Sequence, residues 1–473
     1  MRSFAAAILV VASAAACAPA ARYTVPATPP APNFKENANW KTAAPADAVV
    51  RGHWWEAFGD PQLNALEAQI DVSNEGLKAA EARFAQARAA VRGAHAGLYP
   101  QATVNPAIAA AQQSGNRATS SFHEPYGDFL LPVDVTYEAD VWGRVRGTIA
   151  ARRSEAQATA ADLESVSLSV HAELAIDYFV LRGSDRDAEL LQSAVTAFEQ
   201  ALELTQNRFR GGLASEADVA QAQTQLETTR AQRVDLEAER AALEHAVAVL
   251  VGQPASTFTL PAAPSAMTPP SVPAGLPSDL RERRPDIAAA ERRAAEANAQ
   301  VGVADAAFYP ILALTGAAGF ESSSIASWIS SASTFWSLVP SAVATVFDAG
   351  RRRSVSDQAR AAYEQTAANY RDTVLTALRE VEDELAVLRV LDEEAAIQAR
   401  AVDAAERSLI LATNRYRGGI VSYLEVIVAQ NAALANQRAS VSILTRRMAA
   451  SVLLIKALGG GWSRSDLPVI SPD

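Results

Sequence analysis

The feature that most limits what this chain can fold into is a phrase that it contains twice. "NRFRGGLASEADV" begins at Asn207, and "NRYRGGIVSYLEV" begins at Asn414, 207 residues later. Each copy places a Gly–Gly break between two stretches with helical spacing, and such glycines supply the left-handed conformations that a chain reversal needs. Neither copy holds a His, a Cys or a Ser beside a base. The repetition therefore predicts an internal duplication and not a catalytic motif.

A long uninterrupted helical pattern precedes each phrase. From Gly143 to about Asn207 the chain holds no Pro and only two internal Gly, Gly147 and Gly183. As an α-helix this stretch would reach roughly 100 Å, which no ordinary globule accommodates. A helix of that length needs continuous partners, as in a coiled coil or a helical barrel. A second helical run follows over 215–250, so each half of the chain predicts a long helix, a tight turn and a returning helix.

Two short segments before each long helix alternate in the manner of β-strands. In the first half they are "LYPQATVNPAIAA" and "FLLPVDVTYEADVW", and in the second half they are "ILALTGAAGF" and "FWSLVPSAVATVF". The predicted strands lie at about 99–111, 129–141, 309–320 and 335–347.

The whole order of elements thus occurs twice: helix, two strands, long helix, turn and helix. Pro-rich stretches flank the first copy and separate the two copies. The predicted division is a lipoprotein signal peptide (1–16), a Pro-rich tether (17–52), repeat 1 (53–250), a Pro-rich linker (251–277), repeat 2 (278–462) and a C-terminal tail (463–473).

The N-terminus has the pattern of a bacterial export signal. One Arg precedes an apolar run from Phe4 to Ala12, which is too short for a membrane-spanning helix. Cys17, the only Cys of the chain, follows at the expected cleavage point in "AAAC", which resembles a lipobox. We predict that Cys17 is an acylated lipid anchor. The alternative is a chance thiol within a discarded leader.

Composition and motif content argue against several classes of function. The formal net charge of −11 argues against nucleic acid, because a phosphate-binding surface needs a basic face. The five His are scattered without metal-ligand spacing, and no Gly-rich phosphate loop follows a strand. We therefore expect no catalytic, cofactor-binding or metal site and no enzymatic activity. Trp54–Trp55 could stack on a sugar or a peptide, but such a pair is more often core packing.

The number of strands limits how this chain can cross a membrane. No stretch of about 20 uninterrupted apolar residues follows the leader, so any crossing must use strands. Four strands leave open edges, whereas three chains would pool twelve strands and close a barrel. The predicted fold is mainly α with membrane β: a trimeric β-barrel with four strands per chain, continued by an α-helical barrel. A tube of this kind is a conduit.

Four phrases, spread over nearly the whole chain, resemble one protein family. They are "WWEAFGDPQLNAL", "LRERRPDIAAAERRAAEANAQVGVADAAFYP", "NRYRGGIVSYLEV" and "KALGGGW", and they stand in family order. The family is the outer-membrane factors of tripartite efflux systems, the OprM/TolC-like channels of the NodT lipoprotein group. The resemblance implies a homotrimer in the outer membrane that extends into the periplasm. There it would dock onto a periplasmic adaptor (membrane fusion) protein and an inner-membrane efflux pump, usually a proton-driven pump of the RND type.

The predicted function is therefore a passive exit duct for small molecules or drugs, with its strands in contact with outer-membrane lipid. The alternative is a periplasmic adaptor or a structural coiled-coil lipoprotein. Duplicated strand pairs favour the duct, because adaptors carry one helical hairpin and globular β-domains.

The duplicated phrase then marks the periplasmic tip, where a resting tube has to close. Relatives with "SYLxxxDAQ" use an Asp and a nearby Arg at this aperture, but here those positions are Val428 and Asn431. We predict an apolar closure by three copies of Leu424 and Val428, with Glu425 and the tip arginines meeting the adaptor. The alternative is that these residues only pack helix against helix.

The candidate functional residues form two groups. The tip turns are Arg210, Gly211, Gly212, Arg417, Gly418 and Gly419, and the aperture residues are Leu424, Glu425, Val428 and Asn431. The first repeat has Ala217, Gln221 and Thr224 at the points equivalent to Leu424, Val428 and Asn431.

Overall fold

The computed structural model describes residues 23–29, 31, 33–36, 52–114, 116, 124–263, 267–270, 272, 275 and 277–471. The predicted signal peptide, Cys17 and most of the tether lie outside the described residues. The helices are α1 (Pro61–Ser73), α2 (Glu75–Ala96), α3 (Arg144–Arg210), α4 (Glu216–Leu250), α5 (Pro285–Ala306), α6 (Arg351–Arg417) and α7 (Tyr423–Ala457), with shorter turns at Trp54–Phe58, Pro277–Asp279, Leu280–Arg283, Ile325–Ser327, Ser331–Ser333 and Arg464–Asp466.

The first helix begins at an N-cap that its sequence favours. The Asp60 carboxylate accepts hydrogen bonds from the N–H groups of Gln62 at 2.9 Å and Leu63 at 3.2 Å. Pro61 occupies the first helical position, where the missing N–H leaves no helical bond unmade. The local sequence therefore sets where this helix begins.

Each half of the chain forms a long antiparallel helical hairpin. The helices α3 and α6 contain 67 residues each, and α4 and α7 contain 35 residues each. Gly143 and Gly350 precede α3 and α6 with φ of +79° and +89°, a left-handed conformation that glycine adopts readily. Gly183 within α3 lies against α7, because a Cβ there would stand 2.3 Å from Oγ1 of Thr445. The two hairpins therefore pack closely side by side.

The strands of both halves join in one antiparallel sheet. They are β1 (Gln101–Val104), β2 (Ala107–Ala111), β3 (Tyr126–Glu138), β4 (Ile311–Ser322) and β5 (Thr334–Val343). β3 pairs with β4 from Phe129↔Ser322 to Glu138↔Ala313, so the two repeats meet edge to edge. Within the described residues, β1 and β2 pair only with β3, and β5 pairs only with β4. Both outer edges of the sheet therefore leave backbone groups for pairing outside this chain.

The first predicted strand, at about 99–111, is divided into β1 and β2. Pairing with β3 stops after Val104 and resumes at Ala107, opposite a stretch of β3 that contains Pro132. Pro106 and Pro132 have no N–H to donate, so the ladder is interrupted there. β1 and β2 both lie alongside β3, and the sheet is therefore four strands wide.

β3 also ends earlier than the strand predicted at about 129–141. The Asp140 carboxylate accepts hydrogen bonds from the N–H groups of Val145 at 3.0 Å and Arg146 at 2.9 Å, which caps the start of α3. Asp348 caps α6 in the same way, and β5 ends before it. At both places the chain leaves the sheet ahead of an Asp whose carboxylate caps the long helix.

The largest hydrophobic core lies midway along the long helices, where α1 and the Trp54–Phe58 turn pack against α3, α6 and α7. Trp54 and Trp55 are 2% and 5% exposed, which confirms core packing over a surface stacking site. Trp55 stacks on the ring of His171 at 4.4 Å, and Nδ1 of His171 lies 2.6 Å from the Glu67 carboxylate. None of the helices in the described ranges is long and apolar enough to span a membrane.

Candidate functional site

The first predicted tip turn, at the end of α3, closes with the two hydrogen bonds of a glycine-terminated helix. The N–H of Leu213 donates to the carbonyl of Arg208 at 2.8 Å, and the N–H of Gly212 donates to the carbonyl of Phe209 at 2.9 Å. Gly212 has φ of +73°, whereas Gly211 stays right-handed at −83°. Only the second glycine of the pair therefore supplies the left-handed conformation.

The second tip turn, at the end of α6, repeats this backbone closely. The N–H of Ile420 donates to the carbonyl of Arg415 at 2.9 Å, and the N–H of Gly419 donates to the carbonyl of Tyr416 at 3.0 Å. Gly419 is left-handed at +72°, and Gly418 is right-handed at −75°. The duplicated phrase thus encodes one turn geometry used twice.

The return helices begin differently in the two hairpins. Ser215 and Asp218 form a capping box at the start of α4, in which each side chain accepts from the other residue's backbone N–H. In the described part of the chain the Ser422 side chain caps none of the N–H groups of α7. Glu425, at the position of Asp218, instead pairs with Arg415 at 3.3 Å, in an ion pair whose side chains are both about half exposed.

Tyr416 joins the two hairpins. Its ring lies 4.5 Å from the guanidinium of Arg208, which also donates a hydrogen bond of 2.7 Å to the Tyr416 carbonyl. The Tyr416 hydroxyl lies 3.3 Å from the hydroxyl of Thr205, and both are buried. The equivalent residue of the first hairpin is Phe209, which is 44% exposed. A cation–π contact and two hydrogen bonds therefore fasten α3 to the end of α6.

A small apolar cluster surrounds this contact. Tyr416 and Tyr423 lie with ring centroids 5.4 Å apart, and burial, with a smaller contribution from Tyr416, raises the pKa of Tyr423 to about 12. The Tyr423 phenol is therefore neutral at physiological pH. The buried members of the cluster are Ala222, Tyr416, Tyr423 and Val426, with Ala201, Leu202, Leu204, Val421 and Ile427 packed against them.

Two of the predicted aperture residues share an exposed face of α7. Leu424 and Val428 are 53% and 61% exposed, whereas their neighbours Tyr423 and Val426 are buried in the cluster. Exposed branched apolar side chains at i and i+4 form a short apolar stripe on the helix. The single chain leaves this stripe uncovered at the hairpin end.

The other candidates make local contacts. Asn431 accepts a hydrogen bond from the side-chain amide of Gln225 on α4 at 2.7 Å, which links the two hairpins a second time. The Arg210 guanidinium donates to the side chain of Asn207, and Arg417 is exposed. The structure therefore brings Asn431 to the hairpin interface and leaves both tip arginines at the surface.

Sequence reasoning missed Arg208, Thr205 and Tyr416. One signal could have found the last of them, because the repeated phrase has Phe209 in its first copy and Tyr416 in its second. An added hydroxyl in an otherwise preserved apolar position indicates a buried hydrogen bond. The contact with Arg208 joins residues 208 positions apart in the chain, and no local pattern reports it.

A protein-family model matches both repeats of the chain. The model described as "Outer membrane efflux protein" matches residues 66–253 and 276–460, one match for each repeat. The chain belongs to the outer membrane efflux protein family. It is therefore an outer-membrane efflux channel, and the family membership confirms the fold class, function and location that the sequence predicts.

Individual members of the family match over nearly the whole chain. The pyoverdine export outer membrane protein OpmQ of Pseudomonas aeruginosa is 31% identical over 89% of this chain and 90% of its own length. The cation efflux system protein CusC of Escherichia coli is 28% identical over 95% and 96%. The solved structure of the open state of the Neisseria gonorrhoeae outer membrane channel MtrE has a TM-score of 0.84, with 26% identity over 94% of this chain and 98% of that one.

Proposed function

We propose that this efflux channel is the exit duct of a tripartite pump and acts as a homotrimer. The observation that carries the proposal is the sheet, in which β1, β2 and β5 each pair on one side only within the described residues. Its strands also carry exposed apolar side chains: Ile108, Trp336 and Leu338 are 67%, 80% and 61% exposed. Copies of the same chain can complete the edges, and membrane lipid can cover these side chains.

The proposed partners supply the channel with free energy and with cargo. A channel in the outer membrane needs a source of free energy elsewhere, so we propose that a proton-driven RND-type pump in the inner membrane delivers the cargo through a periplasmic adaptor. The names of the matched relatives, pyoverdine export and cation efflux, support small molecules or ions as the class of cargo. Passive conduction needs no bond chemistry, and we propose that the chain has no enzymatic activity.

The glycine turns form the periplasmic tip in this proposal, and the second hairpin closes it at rest. The apolar stripe of Leu424 and Val428 would meet its two copies on the threefold axis, and a dry constriction of this kind blocks ions and water. Its exposure in the single chain supports this assignment. Glu425, Arg210 and Arg417 stand at the exposed end, where the adaptor would bind.

We further propose that acylated Cys17 anchors the chain beside its strands, because the leader ends at the only Cys. Mass spectrometry of the N-terminal peptide tests this. A lipid-modified peptide that begins at Cys17 is the expected result. An unmodified start at Ala18 or later rejects the anchor and leaves the channel unaffected.

Two measurements on the purified protein test the duct. The protein should run as a trimer on an SDS gel without heating, and it should insert into planar bilayers with a small resting conductance and larger openings. A periplasmic adaptor or structural lipoprotein would run as a monomer and would add no conductance. Either of these two outcomes contradicts the proposed function.

A further inference from the structure

A basic cleft lies just below the sheet, between the end of α2 and the start of α3. Its volume is about 450 Å³, and its lining includes His95, Leu98, Arg146, Ile149, Arg153 and Gln157. Trp142, one residue before the turn into α3, stacks on Tyr309 at 4.8 Å, and paired aromatic rings of this kind mark membrane–water interfaces. Arg153 stands nine residues into α3, or about 14 Å along its axis, and side chains on a helix point back toward its N-terminus, which here is the end nearest the sheet.

The cleft opens along one face of α3. Arg153, Gln157 and Ala161 follow one another at helical spacing of four residues and share a face. Ala161 packs in a cluster with Trp462 and Leu467 of the C-terminal segment. The same cluster contains Ala288 and Ala289 of α5. We place this side of the helices, which carries the C-terminal segment, on the outside of the tube.

At the equivalent position of repeat 2 the charged side chains form an ion pair. The duplication aligns α5 with α2 at an offset of 210 residues and α6 with α3 at an offset of 207. Asp305 therefore corresponds to His95, and Arg360 corresponds to Arg153. The Asp305 carboxylate accepts hydrogen bonds from the hydroxyl of Ser356 at 2.6 Å and from the guanidinium of Arg360 at 3.2 Å.

Repeat 1 keeps the arginine and loses the acids. Ala150 and Gln157 stand where repeat 2 has Asp357 and Glu364. Arg153 is exposed, and no carboxylate of the described residues forms an ion pair with it. Arg146 pairs with Asp140 at 3.1 Å, so the positive charge left over in the cleft of repeat 1 is that of Arg153, whereas its counterpart in repeat 2 is neutralised.

We propose that this cleft binds the headgroup of an anionic phospholipid of the periplasmic leaflet. A guanidinium matches a phosphate through two parallel hydrogen bonds, and Arg153 has its donors available for them. His95 can donate a third, and Leu98 and Ile149 line the cleft with apolar surface for the glycerol and upper acyl chain. The excess positive charge selects phosphatidylglycerol over zwitterionic phosphatidylethanolamine.

Native mass spectrometry of the delipidated trimer tests the site. The trimer is mixed with phosphatidylglycerol or with phosphatidylethanolamine, and the retained lipid is counted per protomer. The wild type should retain phosphatidylglycerol preferentially. Arg153→Gln should lower that retention about fivefold. One basic side chain near an anionic membrane surface contributes about 1 kcal/mol of binding free energy, which corresponds to that factor. His95→Asp, which installs the acid that repeat 2 already carries beside its arginine, should lower it at least as far.

Arg360→Gln is the matched control, because it removes the equivalent arginine of repeat 2 and should leave retention unchanged. The trimer band on an unheated SDS gel verifies that each variant has folded. Equal retention of the two lipids, or an equal loss in Arg360→Gln, overturns the proposal. Displacement of phosphatidylglycerol by millimolar inorganic phosphate also overturns it, because the cleft would then be a phosphate site and not a lipid site.

Discussion

The two hairpin ends have the same backbone and different side chains. In the first, Phe209 is 44% exposed, and Ser215 and Asp218 cap the return helix between themselves. In the second, Tyr416 is buried beneath Arg208, and the return helix presents an uncovered apolar stripe. The glycines set the turn in both copies, whereas specialised contacts arose by replacing a few side chains in one copy. This difference is the reason that we propose the closing role for the second hairpin.

The largest expected effect comes from making the second hairpin polar. Leu424→Ser with Val428→Ser should raise the resting conductance in planar bilayers toward that of an open aqueous pore, because water fills a constriction that has lost its apolar lining. Cells carrying the variant should also become sensitive to vancomycin. Ala217→Ser with Gln221→Ser changes the equivalent positions of the first hairpin, and the comparison predicts no change in either measurement.

Salt separates this apolar closure from an ionic one. The Debye screening length is about 8 Å at physiological ionic strength and about 3 Å at 1 M salt, so ion pairs between exposed groups weaken as salt rises. The resting conductance per unit of bulk conductivity should therefore stay constant as salt rises. An increase with salt alone would show that charged contacts hold the tip closed.

A smaller effect is expected from the contact between hairpins. Arg208→Gln removes a cation–π contact and a charged hydrogen bond to the Tyr416 carbonyl, and it should destabilise the tip by about 2 kcal/mol. Hydrogen exchange of the amides around Tyr416 measures this loss directly. Arg415→Gln, the equivalent change in the second copy, breaks only an exposed pair with Glu425 and should cost less than about 1 kcal/mol. Equal effects of the two variants would remove the asymmetry between the hairpins.

The smallest effect concerns the helix caps. Ser215→Ala should speed hydrogen exchange in the first turn of α4 by the loss of about 1 kcal/mol, because the Ser215 hydroxyl accepts from the Asp218 N–H. Ser422→Ala should change exchange at the start of α7 by less than about 0.5 kcal/mol. A larger effect at Ser422 would mean that its hydroxyl caps α7 in the assembled trimer.

Local patterns predicted most of the fold. Helix length and the Gly–Gly turns depend on residues close in sequence, and the duplication supplied the evidence for each of them twice. The break at Pro106 escaped prediction because it depends on Pro132 in the facing strand. Arg208 and Tyr416 escaped for the same reason, since their contact requires two hairpins to lie side by side. The sequence identified Leu424 and Val428, but only the structure shows that the chain itself leaves them uncovered.

Disulfide trapping at the tip tests the central claim most directly, namely that the second hairpins of three copies meet at the aperture and the first hairpins do not. Val428→Cys and Gln221→Cys occupy equivalent positions, and the parent protein, whose only Cys is Cys17, supplies the background. Mild oxidation in the resting state should convert Val428→Cys into covalently linked pairs of subunits on a denaturing gel, and Gln221→Cys should stay monomeric. No linkage at Val428, or linkage at Gln221 at the same rate, would contradict the account.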